Sequence, residues 1–108
     1  MLSDFDIIKI LAKYDGLFQE GDEIIFTPFG LQRIRSQVDL LPDIINIPSY
    51  TTNFNEIKRL YLELHNKKMM PDEEIVSIYQ YHKPWFELSI KEHAEALSHM
   101  ILDYEKKE

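Results

Sequence analysis

The sequence predicts a mainly α fold of about five helices with one small β-hairpin near the N-terminus, and α+β is the alternative. Three observations carry this expectation. Apolar residues recur at offsets of three and four in five segments. Those segments open on a capping residue or an N1 proline, namely Ser3, Thr27-Pro28, Asn53, Pro71 and Ser89. Glycine and proline fall between the segments and seldom inside them.

Ser3, with Asp6 three residues on, opens a first helix expected over 4–15 that stops before Gly16. Its apolar residues Phe5, Ile7, Ile8, Ile10, Leu11, Ala12 and Tyr14 spread over an arc of about 220°, wider than one core face can cover. Residues 16–26, GLFQEGDEIIF, read as the hairpin, with two apolar stubs around Glu20-Gly21-Asp22. Thr27 as N-cap and Pro28 at N1 then predict a second helix, whose Leu31, Ile34, Val38 and Leu41 form a stripe that Pro42 ends. Residues 43–52 read as a connector with an extended stretch from Ile44 to Ile47. Asn53 and Glu56 have capping-box spacing ahead of a helix lined by Phe54, Ile57, Leu60, Tyr61 and Leu64. A fourth helix is expected from Pro71 to Pro84, and a fifth from the Ser89/Glu92 box through Tyr104.

A chain of 108 residues corresponds to one domain, here spanning 1–108, with a single modest core. With no cysteine it has no disulfide framework and no thiolate metal site. The N-terminal run is neither a signal peptide nor a spanning helix, so a cytosolic protein that does not engage membranes is expected. A net charge of −7 makes broad affinity for nucleic acid unfavourable. Richness in isoleucine, lysine, aspartate and tyrosine is compatible with an AT-rich phage or mobile-element genome.

Nothing in the chain has the spacing of a catalytic or metal motif. His93 and His99 lie six apart and face different ways on a helix, and the stripe of Glu92, Glu95, His99 and Asp103 has the composition of a solvated face. The three glycines form no phosphate cradle, and no G-x-S-x-G occurs. No cofactor, no metal and no enzymatic activity are therefore expected.

Residues 3–41, with LAKYDGLFQEGDEIIFTPFGLQRI at their centre, resemble the wing region of winged-helix regulators: a helix, a hairpin, then a T-P-x-G helix start, without the two helices that lead that family's module. The resemblance implies a DNA-binding regulator with Lys9 and Lys13 near the duplex. Residues 1–40 are nonetheless net acidic.

Two stretches point to a protein partner. In YQYHKPWFELS, residues 79–89, Tyr81 points away from the helix's inner face, and Trp85 sits at a proline-broken corner as either core cover or a recognition residue. On the first helix, Ile7, Ile10 and Tyr14 form a flank that either the hairpin or a second copy has to cover, and a homodimer is the favoured expectation. Leu40, Leu62 and Leu102 also face outward by helical periodicity. The expected function is a cytoplasmic, non-enzymatic protein–protein interaction or regulatory module, bound to another protein or to itself. The candidate interface residues are Ile7, Ile10, Tyr14, Tyr81 and Trp85. The alternatives are the winged-helix-like DNA binder and an acidic DNA-mimic inhibitor of a nucleic-acid-binding protein.

Overall fold

Ser3 caps the first helix as its spacing requires: its Oγ accepts the Asp6 N–H at 3.1 Å, and helix α1 runs Asp4–Tyr14. The helix ends in a Schellman arrangement. Leu17 N–H reaches Ala12 O at 2.9 Å and Gly16 N–H reaches Lys13 O at 3.1 Å, with Gly16 at φ 78, where a side chain would be strained. The computed structural model describes residues 2–66 and 87–107. Beyond α1, the described elements are the strands β1 (Glu23–Thr27), β2 (Gly30–Arg35) and β3 (Asp43–Asn46), then helices α2 (Phe54–Asn66) and α3 (Ile90–Lys107).

The architecture is therefore α+β among the described residues, with three helices and a three-stranded antiparallel sheet, and the mainly helical expectation of about five helices is overturned. The error lies between residues 27 and 41. Thr27-Pro28-Phe29-Gly30 is the turn of a hairpin and opens no helix. Thr27 pairs with Gly30, and the Thr27 hydroxyl accepts the Phe29 N–H at 3.1 Å while donating to Gly30 O at 2.8 Å. Gly30 stands at φ 115, which no helix accommodates. Strand β1 has a backbone to satisfy, and residues 30–35 satisfy it with Glu23↔Ile34 and Phe26↔Leu31 in register. The stripe read from Leu31, Ile34, Val38 and Leu41 is thereby dispersed. Leu31 packs inward, Ile34 is on the opposite face, and Val38 and Leu41 are exposed.

The expected hairpin is also displaced. Glu20-Gly21-Asp22 belongs to the link between α1 and β1, where an Asp22 carboxylate oxygen accepts the Gln19 N–H at 2.9 Å. Leu17 and Phe18 form no strand and pack against the core. The extended reading of Ile44 to Ile47 holds as β3, continued by Ile47 N–H to Leu31 O at 2.9 Å.

The core lies between the helices. Ile7, Ile8, Leu11 and Ala12 of α1 meet Ile57, Leu60, Tyr61 and Leu64 of α2 and Ala94, Leu97 and Ile101 of α3, with Ile47 and Tyr50 closing one side. Both α1 and α2 pack against α3. The box at the start of α3 forms as its sequence requires, with Ser89 N–H to Glu92 at 3.0 Å and Glu92 N–H to Ser89 Oγ at 3.1 Å. At α2 only half of the box appears. Asn53 Oδ1 accepts the Asn55 N–H at 3.0 Å, while Glu56 turns to Arg59 because a full positive charge is a stronger partner than a backbone donor. The helix expected from Pro71 to Pro84 lies outside the described residues. No described helix is long and apolar enough to cross a membrane.

Candidate functional site

The pairing of three short strands decides which side chains meet water. Residues directly opposite across antiparallel strands share a face. One face therefore carries the rows Ile24–Arg33–Ile45 and Phe26–Leu31, continued by Ile47; Ile47 belongs to the core, and half-buried Ile24 and Leu31 pack against it. The other carries Glu23–Ile34–Ile44 and Ile25–Gln32–Asn46, with a 3.1 Å hydrogen bond from the Gln32 amide to Asn46. An antiparallel sheet with one solvated face ordinarily shows polar residues there. Here isoleucines occupy three of the six outer positions, and Ile25 and Ile44 are exposed.

The connections extend this surface. At the hairpin tip Phe29 is 92% exposed, and Phe26, at the end of β1 on the inner face, is 82% exposed. In the β2–β3 loop, where Asp39 adopts φ 60, Val38, Leu40 and Leu41 all project into solvent. Among the described residues, seven large hydrophobics between positions 25 and 44 are exposed, against Phe5 and Leu62 elsewhere. Scattered single exposures are normal, but a concentration on one sheet and its loops is the signature of a surface that binds something. Phe26 also edges a groove of about 250 Å³ with Leu31, Ile47 and Tyr50 at its base and Asp4, Ser49 and Thr52 at its mouth.

The charges around the sheet are unequal. No lysine occurs between Lys13 and Lys58. The only cations in that span, Arg33 and Arg35, are engaged. Arg35 grips Asp22 through Nε and Nη2 at 2.9 and 2.8 Å. Arg33, 3% exposed on the inner face, reaches Asp43 at 2.8 Å and lies 3.9 Å from Asp22, with its Nε unpaired. The hydrogen bonds from Arg35 hold the Asp22 carboxyl at about 2, below its ordinary 3.8, against the opposing effect of burial. Glu20, Glu23 and Asp39 are exposed and have no cation beside them among the described residues. The sheet's outer surface is therefore apolar in the middle and acidic at the end where the β2–β3 loop sits.

Two further polar clusters are internal. Arg59 clamps Asp15 with Nη1–Oδ1 at 2.7 Å and Nη2–Oδ2 at 2.6 Å, and the buried Tyr50 hydroxyl donates to the same carboxylate at 2.6 Å. Glu56 and Glu63 share the guanidinium at 2.8 and 3.0 Å. This node fastens the end of α1 to α2 and to the 47–52 loop. Between α2 and α3, Tyr61 Oη and His93 Nδ1 lie 2.7 Å apart in the core, with Phe54 edge-on to the imidazole. No group of His, Cys, Asp or Glu that could hold a metal ion occurs among the described residues.

The residues proposed from sequence fall as follows. Ile7 is fully buried in the domain's own core, and Ile10 and Tyr14 are half-buried against it. Ile10 lines a small groove with Phe18 of the link and Leu102 of α3, so the segment expected as the hairpin covers part of this flank and a groove stays open beside Ile10. Tyr81 and Trp85 lie outside the described residues. Leu62 is exposed as expected, whereas Leu102 is half-buried. Lys9 folds its ammonium over the Phe5 ring at 4.5 Å. The sheet surface was missed because its residues were assigned to a helix. The available signal was Gly30 two positions after Pro28, the spacing that favours a β-turn.

No known protein family, curated protein or solved structure matches the chain.

Proposed function

We propose that this protein is a non-enzymatic protein–protein interaction or regulatory module, and that the three-stranded sheet presents its recognition surface. The observation that carries the proposal is the concentration of exposed Ile25, Phe26, Phe29, Val38, Leu40, Leu41 and Ile44 on one sheet and its two connections. Leaving such side chains in water forgoes roughly 1.5–3 kcal/mol each relative to covering them. Phenylalanine at a hairpin tip gives large contact area at little conformational cost, the property of an anchor residue.

Site-specific photo-crosslinking in the native host tests this. A photoreactive residue at Phe29 or Ile44 is expected to trap a discrete adduct, and one at Lys58 on the exposed side of α2 is not. Equal adduct patterns at all three positions, or none at any, refute the assignment.

A further inference from the structure

We infer that the outer face of the sheet takes a short segment of another protein that alternates aliphatic with lysine or arginine side chains, laid over Ile25, Ile34 and Ile44 with its cations against Glu23 and Asp39. The inference rests on the interaction-module proposal and names the chemistry of the partner.

Two observations choose this occupant over a second copy. The first is charge. Every cation between Lys13 and Lys58 is already bound to a carboxylate on the inner face or at its edge, while Glu20, Glu23 and Asp39 stand exposed. A second copy of this face brings no unpaired cation to those acids, in a chain of net charge −7. A segment with lysine or arginine at alternate positions supplies the missing sign. The second is size. Three strands about 4.8 Å apart and five residues long at about 3.3 Å each give a face on the order of 200 Å². That face between the strands is by itself small beside the ~800 Å² per partner of a standard interface between folded proteins. A peptide segment fits that area, its apolar side chains lying over the isoleucines and its long cationic side chains reaching over the rim to Glu23 and Asp39.

The test uses three short fluorescent peptides that alternate leucine with lysine, leucine with glutamate, and serine with lysine, titrated with the full chain and followed by anisotropy. The leucine–lysine peptide is expected to bind, more weakly as salt rises, and the other two at least tenfold less well. Ile44→Ser and Ile25→Ser are expected to lower its affinity about tenfold each. Glu23→Gln and Asp39→Asn are expected to lower it roughly two- to fivefold each at low salt. Asparagine tolerates the left-handed backbone at position 39, so that variant keeps the loop. Circular dichroism confirms that all four variants fold. No binding of the leucine–lysine peptide, equal binding of the serine–lysine peptide, or indifference to Ile44→Ser and Ile25→Ser overturns the inference. A wild-type dimer in sedimentation that Ile44→Ser converts to a folded monomer also overturns it, in favour of a second copy. Crosslinks at Ile44 to a partner lacking basic segments would remove this inference and leave the interaction-module proposal standing; failure of the crosslinking itself removes both.

Discussion

Replacing Arg59 by methionine should destabilise the domain far more than an ordinary change on the surface of α2. The guanidinium makes two charged hydrogen bonds to Asp15, whose carboxylate is only 9% exposed and also accepts the Tyr50 hydroxyl. Charged hydrogen bonds contribute about 1.5–3 kcal/mol each in favourable settings, and stranding a fully buried partner costs about 3–5 kcal/mol. Arg59 is 38% exposed, so solvent screens the pair and water can reach the gap. A net cost of about 2 kcal/mol follows, or a fall of roughly 10 °C in Tm for a domain of this size. Glu63→Ala is the control. It removes the half-exposed i,i+4 partner of the same guanidinium and should cost no more than about 0.5 kcal/mol. Urea denaturation of both variants, with Asp15→Asn and the Arg59→Met/Asp15→Asn double variant completing a cycle, isolates the coupling, expected at about 1–2 kcal/mol. If Arg59→Met unfolds no more readily than Glu63→Ala, Asp15 is hydrated and the node does not fasten α1 to α2.

Gly30→Ala should lower stability by about 1 kcal/mol because φ 115 is strained for any side chain, even though the space beside it is open; a helix start at Thr27 predicts the opposite sign, and denaturation distinguishes them. Asp22, held at about 2 by its Arg35 hydrogen bonds, contributes stability that is present above pH 4 and lost as pH falls towards 2, and Asp22→Asn should flatten the acid limb of stability against pH. Burial, then the Asp15 hydrogen bond, pushes the Tyr50 hydroxyl well above its ordinary 10, so its contribution is present below pH 10 and lost as pH rises beyond, measurable by following unfolding at alkaline pH. Tyr61→Phe should cost about 1 kcal/mol or more in a denaturant melt by removing the hydroxyl 2.7 Å from His93 Nδ1. Duplex DNA should not bind appreciably at physiological salt in an anisotropy titration, because Arg33 and Arg35 are committed to carboxylates and Lys9 to Phe5.

The helices were legible where their signals are local. Ser3 with Asp6, Ser89 with Glu92, and Gly16 at the end of α1 act within one turn, and each makes the contact its spacing implies. Strand β2 was not legible, because its conformation is decided by β1 across the Pro28–Phe29 turn and not by its own spacing. Thr followed by Pro serves equally as N-cap and N1 or as the first two residues of a turn. The stripe of Leu31, Ile34, Val38 and Leu41 fitted a helix by coincidence of offset, and that fit concealed the most exposed apolar residues of the region. The wide apolar arc of α1 was read correctly as needing cover. Part of that cover is its own chain, from Phe18 and from α3, whose Leu102 is half-buried and not outward.

Whether the apolar outer face serves binding or merely strand formation can be decided from its composition. Isoleucine is favoured in strands for its branched Cβ, and Ile25, Ile34 and Ile44 could be explained by that preference alone. Threonine has the same branching with a polar hydroxyl and would serve strand formation on a solvated face without the exposed hydrocarbon. Val38, Leu40 and Leu41 lie outside any strand, make no strand pairing, and are as exposed as the isoleucines or more so. Strand propensity cannot account for leucines in a loop, and folding gains little from them where they stand. Ile25→Thr and Ile44→Thr should accordingly stay within about 0.5 kcal/mol of the parent in stability, as should Leu40→Ser and Leu41→Ser, while all four weaken capture of the leucine–lysine peptide. If the threonine variants keep full peptide affinity, the outer isoleucines are there for the sheet alone, and the recognition surface shrinks to the hairpin tip and the loop.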